Sequence, residues 1–171
     1  MIAMSLTARF TAVAFFLALA SLCLTAQGPA GDVSSRPAAK PAAVAYLFPE
    51  QVTIPADKPS PVDLHFKVAA GLHVNSHTPR TEDLIPTTLT LADSAPVRLA
   101  KADFPPGTDY AFDVNPNEKL SVYTGEFTVH TELISAKGEH LIQATLHYQA
   151  CNNATCFPPK SIPVAIDVIA K

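Results

Sequence analysis

From Val62 onward, the runs between turns place apolar residues at every second position, and no segment beyond the first 26 residues sustains a 3.6-residue period. This regularity excludes helical bundles and points to half-buried strands. Val62, Leu64, Phe66 and Val68 alternate with Asp63, His65 and Lys67. After Gly71 the pattern resumes over Leu72 to Asn75. Phe127, Val129, Thr131 and Leu133 form a second inward row, and Ile142, Ala144, Leu146 and Tyr148 a third. Ile162, Val164, Ile166 and Val168 form the last. Shorter strands are expected over Thr87 to Leu91 and Val97 to Phe104. A first strand, Tyr46 to Ile54, is interrupted by Pro49 and belongs at an edge, because proline cannot donate to a ladder. Breakers separate the runs at Pro55 to Pro61, Ser76 to Pro79, Ala92 to Pro96, Pro105 to Gly107, Asn115 to Asn117 and Lys137-Gly138. Seven or eight short strands at this spacing predict an all-β fold, an immunoglobulin-like antiparallel β-sandwich.

The N-terminus has a different character. Arg9 provides a positive flank, and Phe10 to Leu24 is an apolar run of secretory length, short for a spanning helix. Residues 1–26 are expected to be a signal peptide, with Ala30 a second candidate cleavage point. Cys23 offers a lipidation site, but Leu22 precedes it where a smaller residue is expected. Membrane contact would follow only from a retained leader or a lipidated Cys23. Residues 27–43 are rich in Gly, Pro, Ala and Ser and are expected to be a flexible linker. The folded domain is expected over residues 44–171, enough for one core. A net charge of −3 supplies no basic patch and argues against a nucleic-acid partner. Export places the domain in the periplasm or outside the cell, where disulfides persist.

Beyond the leader the chain has two cysteines, Cys151 and Cys156, with four residues between them. Strand-like runs enter and leave this stretch, so a hairpin mouth can bring the sulfurs together. A closed ring of six residues stabilises a fold by only about 2 kcal/mol in the chain-entropy model, against about 4.7 for a hundred-residue loop. Small, strained or exposed disulfides are the labile and catalytic ones. The competing reading is a structural staple in a non-catalytic envelope binding module. No general base stands out beside the pair. His147 shares its strand parity with Cys151 but lies about 13 Å away along an extended chain. Asn152 and Asn153 are suited to the left-handed conformation a wide loop needs.

Tyr148-Gln149-Ala150-Cys151 followed by Cys156-Phe157-Pro158-Pro159-Lys160 resembles the closing hairpin of the N-terminal periplasmic domain of the thiol:disulfide interchange protein DsbD. Gly71-Leu72-His73-Val74-Asn75-Ser76, Leu84-Ile85-Pro86 and Leu120-Ser121-Val122-Tyr123-Thr124-Gly125 are similar to the stand-alone branch of that family. The resemblance runs from about Tyr46 to Ile169. It implies an immunoglobulin-like sandwich with redox cysteines at one end. It also implies a component of a thiol:disulfide oxidoreductase system that needs no cofactor. Such a module passes reducing equivalents between a thioredoxin-like donor and envelope disulfide proteins through transient mixed disulfides. On that mapping Cys156 forms the mixed disulfide and Cys151 resolves it. Better-known members have a longer cysteine spacing and shield the disulfide with an aromatic cap loop. The matching stretch here, Asp113 to Glu118, has no aromatic. Phe112, Tyr110 and Tyr123 are candidate substitutes, Asn117 is a candidate within the stretch, and Phe157 is a candidate docking residue beside the disulfide.

His73 and His77 are a weak metal pair, since on one extended strand their rings lie too far apart to share an ion. A closed zinc site needs four ligands, and blue-copper sites often use a methionine, absent after Met4. No metal site is expected. His65, His130 and His147 are expected at outward strand positions. Glu82, Asp83, Asp103 and Asp109 are expected as solvated charges.

Overall fold

The inward rows become the facing surfaces of two sheets in a computed structural model that describes residues 42–47, 51–92, 96–112 and 115–171. One sheet is built from β1 (Val44–Tyr46), β3 (Ser60–Val68), β9 (Glu126–Ser135) and β6 (Val97–Asp103), in that spatial order. The second has β2 (Gln51–Ile54), β12 (Lys160–Ala170), β10 (Gly138–Tyr148) and β5 (Thr88–Leu91), again in spatial order. Leu64, Phe66, Val129 and Leu133 from the first sheet and Leu146, Tyr148, Val164 and Ile166 from the second form one buried cluster. Each such side chain stabilises the fold by about 1.5–3 kcal/mol relative to exposure. Phe66 stacks on Phe127 at 5.3 Å, and Phe127 on Tyr123 at 4.6 Å. The architecture is the expected immunoglobulin-like sandwich. Among the described residues no helix is long and apolar enough to cross a membrane.

Three expectations need correction. The single strand expected over Tyr46 to Ile54 is two edge strands in different sheets: β1 pairs antiparallel with β3, and β2 pairs parallel with β12. Twelve strands occur among the described residues, more than the seven or eight expected. The excess comes chiefly from a third sheet of β11 (Ala150–Cys151), β4 (His73–Asn75), β8 (Asn115–Tyr123) and β7 (Thr108–Phe112), in spatial order. Finally, Asn115 to Asn117, expected as a breaker, opens β8. Polar, proline-containing sequence hid this strand, because Pro116 to Lys119 are exposed and carry no apolar alternation. Asp113 and Val114 of the expected cap stretch, Pro49, the expected leader with Cys23 and nearly all of the expected linker lie outside the described residues.

The third sheet is pinned where β6 passes into β7. The Tyr123 hydroxyl donates to the Pro105 carbonyl at 2.9 Å and accepts the His77 N–H at 3.0 Å. Burial raises the pKa of that hydroxyl. Ser76 and Ser121 hydroxyls meet at 2.8 Å beneath Gly107. A Cβ at Gly107 would collide with the Ser121 hydroxyl and come within 2.7 Å of the Ser76 Cβ. Gly107→Ala is therefore expected to destabilise the domain by about 1–3 kcal/mol, the usual range for overpacking, read as a lowered midpoint in chemical denaturation.

Candidate functional site

The β10–β12 ladder ends at Tyr148 opposite Lys160. Tyr148 is 1% exposed and anchors the end of the second sheet. The chain then changes sheets. Ala150 pairs with Val74 and Cys151 with His73, so β11 becomes the edge strand of the third sheet. Cys156 returns opposite Cys151 as an isolated antiparallel bridge. The Asn152 N–H donates to the Thr155 carbonyl at 2.9 Å, and the Phe157 N–H to the Ala150 carbonyl at 2.8 Å. These bonds flank the cysteines, which therefore occupy a non-hydrogen-bonded pair, the position where opposed side chains approach most closely. The Cα atoms are 3.9 Å apart and the sulfurs are bonded at 2.01 Å.

The loop tip is held by its own polar groups. Asn152 Oδ1 accepts the N–H of Ala154 at 2.9 Å and of Thr155 at 2.8 Å. This is an Asx-type turn. Neither Asn152 nor Asn153 has a positive φ; among the described non-glycine residues only Asp57 does. The expected left-handed asparagines are thus replaced by a side-chain cap. Tyr110 reaches the same tip, its hydroxyl 3.4 Å from Asn153 Oδ1.

Gln149 fixes the base of the loop. Its Oε1 accepts Asn75 Nδ2 at 3.1 Å and the Ile85 N–H at 3.3 Å, while its Nε2 donates to the Phe157 carbonyl at 3.3 Å. Asn75 Nδ2 also donates to the Ile85 carbonyl at 3.0 Å, and the Asn75 carbonyl accepts the Thr87 hydroxyl at 2.5 Å. One amide cluster therefore joins the separate segments around Asn75, Ile85 and Gln149. These residues stood in the sequence only as letters of motifs. The signal that could have found them was the number of polar residues inside otherwise apolar strands.

The surroundings of the two sulfurs differ. Cys151 is 0% exposed, whereas Cys156 is only partly covered. Cys151 lies on the same sheet face as His73, Leu120 and Val122, all at 2% exposure or less. The His73 ring packs against Tyr110 at 4.0 Å and Phe112 at 5.9 Å between centroids. Burial lowers the His73 pKa. On the rim, Arg80 and Lys119 hold the exposed Asp109 carboxyl below its ordinary pKa through hydrogen bonds.

The structure brings Cys151 and Cys156 together and sets Phe157 next to them, half-buried against the core. Phe112 is half-buried at the His73 ring. Asn117 is exposed on β8. Tyr123 does not offer a surface: it is 4% exposed and packs in the core, because its hydroxyl finds partners inside. His73 and His77 diverge, the latter stacking on Phe104 at 4.3 Å with Nδ1 2.9 Å from the Thr87 carbonyl. Among the described residues no group of three His, Cys, Asp or Glu side chains is placed to hold a metal ion.

A family model described as thiol:disulfide interchange protein DsbD, N-terminal, matches residues 43–166. Among solved structures, the chain is similar to the reduced DsbD N-terminal domain of Neisseria meningitidis at 20% identity. That match covers 65% of this chain and 79% of that one, with a TM-score of 0.43. It is also similar to a chain in the complex between the DsbD N-terminal and PilB N-terminal domains of Neisseria meningitidis. There the identity is 21%, the coverage is 66% of this chain and 75% of that one, and the TM-score is 0.40. No curated protein sequence matches. The family model spans most of the chain and contains both cysteines of the bonded pair, so this protein belongs to the family of DsbD N-terminal domains.

Proposed function

We infer that the domain is a thiol:disulfide exchange module in which Cys156 forms a mixed disulfide with a thioredoxin-like partner and Cys151 resolves it. The observation that carries this reading is the unequal exposure of the pair: Cys151 is sealed, Cys156 is partly open. A thiolate attacks one sulfur of a disulfide and displaces the other, so access decides which sulfur is attacked. Approach from outside favours attack at Cys156 and departure of Cys151 as the leaving thiolate. In the reverse sense, reduced Cys156 attacks a client disulfide and Cys151 closes the ring. No cofactor is required, since both electrons travel in the sulfur bonds. Phe157, half-buried beside Cys156, and the aromatic pair Tyr110 and Phe112 give a partner an apolar rim to rest on. In this reading residues 1–26 export the protein, residues 27–43 tether the domain, and it serves envelope disulfide proteins in the periplasm.

The structural-staple alternative draws less support. The loop is closed by Asn152 and by two backbone bonds that do not involve sulfur. Reduction is accordingly expected to remove only about 2 kcal/mol of stability, as a six-residue ring predicts, and to leave one cooperative melting transition. Unfolding on reduction would favour the staple. The direct experiment is trapping. The Cys151→Ser protein should accumulate a stable mixed disulfide with a thioredoxin-like protein, visible on non-reducing gels, and the Cys156→Ser protein should not. A wild-type pair that never equilibrates with a glutathione buffer would overturn the assignment.

A further inference from the structure

His73 stands directly across from Cys151 in the β4–β11 pairing. Opposed residues project on one face, with Cβ atoms about 4.5–5.5 Å apart, so the imidazole and the Cys151 side chain share that face. The ring is 2% exposed, and its Nε2 is buried without a hydrogen-bond partner. Buried polar atoms are nearly always paired, and an exception at a redox site calls for a chemical explanation. Tyr110 does not supply the partner, because its hydroxyl is directed to Asn153. A disulfide sulfur has no hydrogen to give. A reduced Cys151 does.

We propose that His73 is the general base of the resolving step, taking the Cys151 thiol proton on Nε2 as that sulfur attacks. The proposal rests on the exchange reading above. The starting state is Cys151 as a thiol and Cys156 bonded to the partner. Nε2 accepts the proton, and the Cys151 thiolate attacks the Cys156 sulfur. The Cys151–Cys156 bond forms as the Cys156–partner bond breaks, and the electron pair leaves on the partner sulfur. The imidazolium afterwards loses its proton to solvent, and the released partner thiolate takes one up from solvent. A thiol and a mixed disulfide have become a disulfide and a partner thiol, with no net change in protons or electrons. His73 ends neutral, as it began.

The surroundings suit this role. Burial holds the ring below the ordinary histidine pKa, so it is neutral at neutral pH and able to accept. Among the described residues the titratable groups that face it are Tyr110 from β7 and Cys151 from β11. Lys67 lines the rim of the same groove but is paired with Glu126 at 3.1 Å. On β8, Tyr123 pairs with Val74, so its side chain lies on the sheet face opposite His73. Among the described residues no carboxylate faces the ring to hold the imidazolium, which favours its prompt deprotonation.

The test is rapid-quench kinetics of the reduced protein with oxidised glutathione, separating formation of the mixed disulfide from its resolution. His73→Phe keeps a ring against Tyr110 and removes the nitrogen. It should form the mixed disulfide within about twofold of wild type but resolve it at least about a hundredfold more slowly, the lower edge of general-base effects, so that the intermediate accumulates. The wild-type resolving rate should be level near neutral pH and fall as His73 protonates. The variant's rate should climb about tenfold per pH unit through the same range, as expected for an unassisted thiol below its pKa. Resolution at the wild-type rate, with the wild-type pH profile, overturns the proposal. Wild-type protein that forms no mixed disulfide at all defeats the exchange reading and this role with it, a separate result. If His73→Phe does not fold, the wild-type His73 Nε2 resonance decides: it should shift on reduction of the pair, and an unchanged resonance overturns the proposal.

Discussion

The side-chain bond between Asn75 and Gln149 is the contact on which the site depends. A strand that has buried Leu146 and Tyr148 in one sheet must turn immediately and enter another, and the turn leaves main-chain and side-chain polar groups away from water. A buried unpaired group costs about 1–3 kcal/mol, so such a turn is tolerable only if nearly everything in it finds a partner. Gln149 spends both ends of its amide on this, one toward Asn75 and Ile85 and the other toward Phe157. The cysteine loop inherits its placement from that cluster, because Ala150 and Cys151 follow at once.

The third sheet gives the two cysteines different environments. Its inner face carries Val74, Ala150 and Tyr123 into the main core. Its outer face buries Cys151, His73, Leu120 and Val122 apart from that core. A small buried compartment thus forms behind the loop, with Tyr110 and Phe112 against the His73 ring. The close approach at Gly107 belongs to the same arrangement, since Ser76 and Ser121 leave no room for a side chain there. One short sheet thus packs against the core on one face and shapes the site on the other.

Much of this was legible from residue order. The inward rows of β3, β9, β10 and β12 alternate as the sequence predicts, because each buries one face and exposes the other. The cysteine hairpin followed from two strand-like runs meeting at a short spacing. The third sheet was hidden for a physical reason: β4 is buried on both faces and only three residues long, so no alternation can mark it. β11 is shorter still, and its existence depends on a partner distant in the chain. The neighbour of Cys151 therefore could not be found by counting along its own strand. His147 was in view and too far; His73 was out of view and directly opposite. Asn152 was identified as a loop residue for its backbone freedom, but it contributes an acceptor instead.

The loop carrying the sulfurs keeps its shape through bonds that sulfur does not share, from Asn152 at the tip to Gln149 at the base. Opening the ring leaves those bonds in place. On the exchange reading the reduced domain is then expected to keep nearly the same outline, which would leave a visiting protein little change of form by which to tell a full carrier from an empty one. Discrimination would fall to the visitor's own redox poise, and traffic through such a module would run whichever way the surrounding pool drives it.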